Sequence, residues 1–80
     1  MSLRVIFKPQ QIETWINERH AIPALRRGSD ADVRLLFGET TSGYEAITID
    51  QFIETMKLHR LVLLVDQEPG KRFYKLYQHS

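Results

Sequence analysis

Eighty residues make one small domain, 1–80, and a chain this short buries only about 60–65% of the surface that its unfolded form exposes, so its core is small. An apolar fraction of 42% and a charged fraction of 26% are those of a globular chain, not a disordered one. Eleven Lys and Arg against ten Asp and Glu leave a net charge of +1, far below that of a sequence-independent DNA coat, and the absence of cysteine excludes disulfides and zinc–thiolate sites.

The cysteine-free composition fits a reducing compartment. The longest apolar stretches, Val5-Ile6-Phe7 and Leu61 to Val65, fall far short of the ~20 residues that cross a bilayer, and the N-terminus shows no signal-peptide core. The expectation is a soluble, cytoplasmic protein without membrane contact.

Leu3 to Phe7 reads either as an edge strand or as a lead-in. Pro9 suits the first turn of a helix, and Ile12, Trp15, Ile16 and Arg19 follow at i, i+3, i+4 and i+7, which predicts a helix over 9–20. Pro23 forbids its continuation. Residues 24–37 read as a hairpin with a weak first arm, a turn around Gly28 to Asp32, and a strand over 33–37. The polar, Gly-containing stretch 38–44 reads as a loop.

A second helix over 49–59 has a sharper start. Thr48 and Gln51 have capping-box spacing, Ile47 is placed to staple against Phe52, and Asp50 meets the positive helix end. Leu61 to Val65 is a continuous apolar run, the mark of a strand that is covered on both faces or central in its sheet. Glu68-Pro69-Gly70-Lys71 is a turn, and 72–77 closes the hairpin. The resulting class is α+β in the order α-β-β-α-β-β, a mainly antiparallel sheet with two helices on one face. Residues 12–16 resemble 49–53, a faint repeat at a spacing of 37 for which chance likeness between amphipathic helices is as good an account as duplication.

Chemistry is scarce. The glycines at 28, 38, 43 and 70 form no phosphate loop. His20 and His59 fall at helix C-termini, where positive charge is welcome, and His79 in a fraying tail; Ser29 or Ser42 beside His20 carries no nucleophile signature. Asp30, Asp32, Glu39 and Glu45 read as solvated loop carboxylates without calcium-loop spacing. Neither catalytic, cofactor nor metal residues are expected. Trp15, Phe37, Phe52 and Phe73 are assigned to the core.

One cluster stands out: Arg26, Arg27 and Arg34 around the first hairpin and Arg72 and Lys75 on the last strand. Interleaved with Tyr44, Tyr74 and Tyr77 they would suit single-stranded nucleic acid; alternatively they are the charged outer positions that protect a sheet edge.

The ordered set Ile12, Trp15, Arg19, Pro23-Ala24, then Leu35-x-Phe37-Gly38-Glu39, Ile47 with Phe52, Leu61-x-Leu63-Leu64, and Phe73-x-Lys75-Leu76 resembles a family of small uncharacterised bacterial proteins, over about residues 9–77. Ile49 stands where that family commonly has tryptophan, and the turn at Glu68 to Lys71 is shorter than the family's. Some members carry the label of a 1,4-alpha-glucan branching enzyme; that chemistry needs a large barrel with paired carboxylates, which eighty residues cannot hold. The resemblance implies a compact single domain and no activity.

The function expected first is a non-catalytic binding or interaction module with an unidentified protein partner, a second copy of the chain included, through its sheet or a helix face. A weak single-stranded nucleic-acid binder through the basic cluster is the alternative. An accessory subunit completing a partner's site, with a pocket of Arg19, His20 and Glu39, is the third.

Overall fold

The computed structural model describes residues 1–39 and 42–79. Strand β1 (Leu3–Ile6) leads into helix α1 (Pro9–Glu18) and the strands β2 (Ile22–Arg26) and β3 (Val33–Leu36); β4 (Tyr44–Ala46) then leads into α2 (Ile49–Leu58), β5 (Leu61–Asp66) and β6 (Tyr74–Gln78). The class is α+β, with antiparallel pairing throughout. Leu3 to Phe7 resolves as an edge strand on β5. The loop read over 38–44 ends in β4, whose three residues are too few and too polar to show a period; its residues 40 and 41 lie outside the described ones.

Helix α1 starts on Pro9 with no side-chain cap from Lys8 and buries Ile12, Trp15 and Ile16. Its stability therefore comes from packing more than from its end. Helix α2 has the full capping box: the Gln51 N–H donates to Thr48 Oγ1 at 3.0 Å and the Thr48 N–H to Gln51 Oε1 at 2.9 Å. It buries Phe52, Ile53 and Met56, and Ile47 packs partly buried against the same cluster. Both helices are left through one non-glycine residue in the left-handed region, His20 at φ 55° and Arg60 at φ 54°.

Matching those two ends superposes β-α-β-β on β-α-β-β, forty residues apart, where the likeness of residues 12–16 to 49–53 gave a spacing of 37. The repeat lies in the architecture, and the sequence likeness is three residues out of step with it. The two units also exchange their first strands. One sheet runs β1-β5-β6 and the other β3-β2-β4, so each unit's opening strand pairs with the other unit's hairpin.

Helix residues Ile12, Ile16, Phe52 and Met56 meet Ile6, Leu63 and Val65 of the first sheet and Val33 and Leu35 of the second in one cluster. Both helices thus lie on the same side of the strands, and extents of 34 × 31 × 18 Å describe a slab two layers thick. The Tyr74 hydroxyl joins the sheets: it accepts from the Leu35 N–H at 3.0 Å and donates to the Leu35 carbonyl at 3.1 Å. Of the four aromatics assigned to the core, Trp15 and Phe52 are buried and Phe37 packs against the cluster, but Phe73 is exposed. It precedes β6 opposite Asp66 and faces away from the helices.

Because the first strands are exchanged, neither unit can complete a three-stranded sheet alone. Peptides 1–39 and 42–80 should each show coil-like circular dichroism and recover helical signal on equimolar mixing. Native-like helicity in either peptide alone would contradict this.

Candidate functional site

At the C-terminal end of α1 Arg19 is only 8% exposed, yet among the described residues it meets no carboxylate. Its Nε donates to the Lys71 carbonyl, its Nη2 to the carbonyls of Asp66 at 3.2 Å and Glu68 at 2.9 Å, and its Nη1 to that of Trp15 at 3.5 Å. The guanidinium lies 4.5 Å from the Trp15 ring centroid, and the Trp15 Nε1–H donates to the Asp66 carbonyl at 3.0 Å. The helical period placed Arg19 on the apolar face; the Pro-Gly turn at 69–70 supplies the carbonyls that satisfy it there. Four of its five N–H donors are engaged by backbone carbonyls, which ties it to the structure of the turn.

Asp66 turns its carboxylate the other way. The Glu68 N–H, at 3.0 Å, holds its pKa below the usual carboxylate value; desolvation opposes this, and the Ser2 N–H, the N-terminal ammonium and Lys71 add to the lowering. The contact with Ser2 ties β1 to the same turn.

Phe37 stands edge-on to Trp15 at 6.1 Å and tilted against Tyr74 at 6.0 Å, with Arg72 5.7 Å from its centroid. The rest of the basic cluster is dispersed. Arg26 pairs with Asp32 at 3.6 Å, Arg27 with Glu45 at 3.1 Å, and Arg34 stacks 4.3 Å over the Tyr44 ring, all on the β3-β2-β4 sheet. Lys75 belongs to the other sheet, opposite Leu64. Arg19, His20 and Glu39 do not come together: His20 is exposed, and Glu39 accepts from the Phe37 N–H at 3.1 Å. His79 is no frayed end, since its N–H donates to the Arg60 carbonyl at 2.7 Å.

The feature that remains is the outer face of the β1-β5-β6 sheet. Leu63 and Val65 point to the helices with Ile6, so alternation turns Val62 and Leu64 outward. Register sets Val5 and Lys75 beside Leu64, Tyr77 beside Val62, and Leu3 beside Asp66, while Phe7 continues the row on β1. Leu3 is 46% exposed, Val5 39%, Phe7 66%, Phe73 46% and Tyr77 39%. Val62 and Leu64 are half-buried by their own neighbours alone. The apolar run at 61–65 has the composition of a strand covered twice, and the second cover is missing.

The repeat supplies an internal comparison. In the other sheet the outer face holds Ala24 and Ala46 with Arg34 stacked over Tyr44, and its apolar exposure is confined to Ile22, 48% exposed beside Leu36 at one end. The apolar row is therefore longer on the first sheet than on the second.

Two clefts flank the first sheet. One of about 500 Å³ runs along α1 between Arg4, Lys8, Thr14, Glu18 and Gln67, with Trp15 and Arg19 in its wall. Trp15 thus borders an open space, but Phe52 does not, and the Trp15 donor and four of the five Arg19 donors are already taken. The other, of about 480 Å³, lies at the sheet's end beside Phe7. Among the described residues no three His, Cys, Asp or Glu side chains cluster for a metal, and no helix is long and apolar enough to cross a membrane. No family model, curated protein or solved structure matches this chain.

Arg19→Met should leave the Lys71 carbonyl without a donor and strip one of two donors from the carbonyls of Asp66 and Glu68, costing on the order of 3 kcal/mol, seen as a lower urea midpoint, with Arg19→Lys recovering only part. Asp66→Asn tests the carboxylate. A lowered native pKa stabilises the fold above the usual carboxylate value and ceases to do so as pH falls through the native one. The melting difference between wild type and Asp66→Asn should therefore be present at neutral pH and vanish in acid.

Proposed function

We propose that this protein is a non-catalytic interaction module whose docking surface is the outer face of the β1-β5-β6 sheet, and that the occupant it fits is a second copy of the chain. The observation carrying this is the apolar set of Leu3, Val5, Phe7, Val62, Leu64, Phe73 and Tyr77, interrupted by Lys75 and by the buried Asp66 between Leu3 and Phe73. Exposed apolar area of that extent marks an interaction site.

Self-association is favoured by the charge pattern. The face carries one cation and no exposed carboxylate, so it offers nothing to steer a charged partner, whereas a two-fold places like apolar rows against each other. Two twisted sheets stack about 10 Å apart with strands near −30°, and Lys75 lets its ammonium reach the rim while its stem stays dry. Strand spacing of ~4.8 Å and a rise of ~3.3 Å give the face a footprint of a few hundred Å², at the small end of interface sizes. The pairing is accordingly weak and reversible, in the micromolar to sub-millimolar range.

Sedimentation equilibrium from about 10 μM to about 1 mM should show monomer passing to dimer, and Val5→Lys with Phe73→Lys should hold the chain monomeric with an unchanged melt. Wild type that stays monomeric across that range would overturn the self-association. Dimerisation insensitive to both substitutions would move it to another surface.

A further inference from the structure

The cleft at the sheet's end has a composition that neither the fold nor the sheet face requires. It opens where β1 runs out at Phe7 and α2 gives way to β5. Its floor is Ile12, Ile53, Met56 and Leu61, three of them buried core side chains, so the opening reaches the core. Its polar rim is Lys57, Arg60 and His79, with no acidic residue in the lining. A volume of about 480 Å³ lies within the ~300–1,000 Å³ of small-molecule sites.

Basic residues at a helix C-terminus ordinarily complement the carbonyl pole, and Lys57 and Arg60 do so. Two observations go further. Among the described residues none of the three rim side chains enters an ion pair. Two carbonyls of the pole are also already met by backbone: the His59 N–H donates to the Thr55 carbonyl at 3.1 Å and the Arg60 N–H to that of Lys57 at 3.3 Å. The cationic heads therefore face the cleft mouth with their charge unanswered. The left-handed Arg60 places its side chain there, and its carbonyl holds the His79 backbone beside it at 2.7 Å. The cleft along α1 differs on both counts: Glu18 sits in its lining and its buried cation is satisfied.

An apolar floor with a purely basic mouth is complementary to a molecule with a hydrocarbon body and an anionic head. We propose that this cleft binds a small amphipathic carboxylate, an acyl or aryl acid, with its tail on Ile12, Ile53 and Met56 and its carboxylate between Lys57 and Arg60. The cleft shares Val5, Phe7 and Val62 with the sheet face, but Lys57, Arg60 and the core floor of Ile12, Ile53 and Met56 lie off that face, so the two sites are told apart by which residues respond.

The test is titration of the full ¹⁵N-labelled chain with decanoate, followed by amide shifts, beside decanol and decyltrimethylammonium. Decanoate should give saturable shifts at Ile12, Ile53, Met56 and Arg60. The uncharged and cationic analogues should bind roughly tenfold more weakly, as should decanoate to the Lys57→Gln, Arg60→Gln double variant, whose melt should match wild type because both positions are exposed. Anionic phospholipid vesicles form a further arm that separates a free acid from a lipid headgroup. Equal affinity for the cationic analogue, shifts confined to Leu3, Leu64 and Tyr77, or vesicle binding without decanoate binding would each overturn the proposal.

Discussion

The guanidinium of Arg19 is a cation withdrawn from water without a carboxylate to meet it, and the arrangement of α1 against β5 and β6 follows from how it is satisfied. A buried unpaired charge is costly, so its place is tolerable only where dipoles converge. Carbonyls of Asp66, Glu68 and Lys71 do converge there, bent inward by the turn, and the Trp15 ring adds a polarisable face. The same turn presents the Glu68 N–H to the Asp66 carboxylate on its other side, and the Ser2 N–H joins it from the start of β1. One reversal of the chain thus serves a cation with its carbonyls and an anion with an N–H, and the helix, the hairpin and β1 meet at it.

With the inner side of that hairpin committed in this way, work is left to the outer side. The protein is an internal pair of β-α-β-β units, and the units differ most in what lies on their outward-facing strand positions. One sheet carries alanines beneath an arginine–tyrosine stack, with Ile22 exposed at its end, and the other is left in leucine, valine, phenylalanine and tyrosine along its length. That difference supports the proposed docking role of the β1-β5-β6 face. It is why the interaction reading is preferred to the basic cluster, whose arginines on the alanine-bearing sheet already hold carboxylates or a ring.

How much of this was legible depends on whether the deciding interaction was local. The start of α2 was, since Thr48 and Gln51 are three residues apart, and so was the Pro-Gly turn. The burial of Arg19 was half legible: its helical phase pointed inward, but its acceptors lie 47 to 52 residues away. Phe73 was misassigned because alternation gives two faces without saying which is covered. Strand β4 escaped because its place depends on pairing with β2 and not on its own composition. The cleft rim brings together α2 and the chain's far end, which no sequence window spans. The outer face did leave a signal, a strand greasy on both sides, whose meaning needed the missing cover to be seen.

The exchange of opening strands also has a bearing on synthesis. Strand β1 is synthesised ahead of its partner β5, some sixty positions later. Contacts of such sequence separation close slowly, and elongation proceeds at only ~5–20 residues per second. The apolar strand β1 therefore waits seconds before its mate exists, and Arg4 and Lys8, which bracket Val5, Ile6 and Phe7, are charges of the kind that discourage an unpaired strand from joining another.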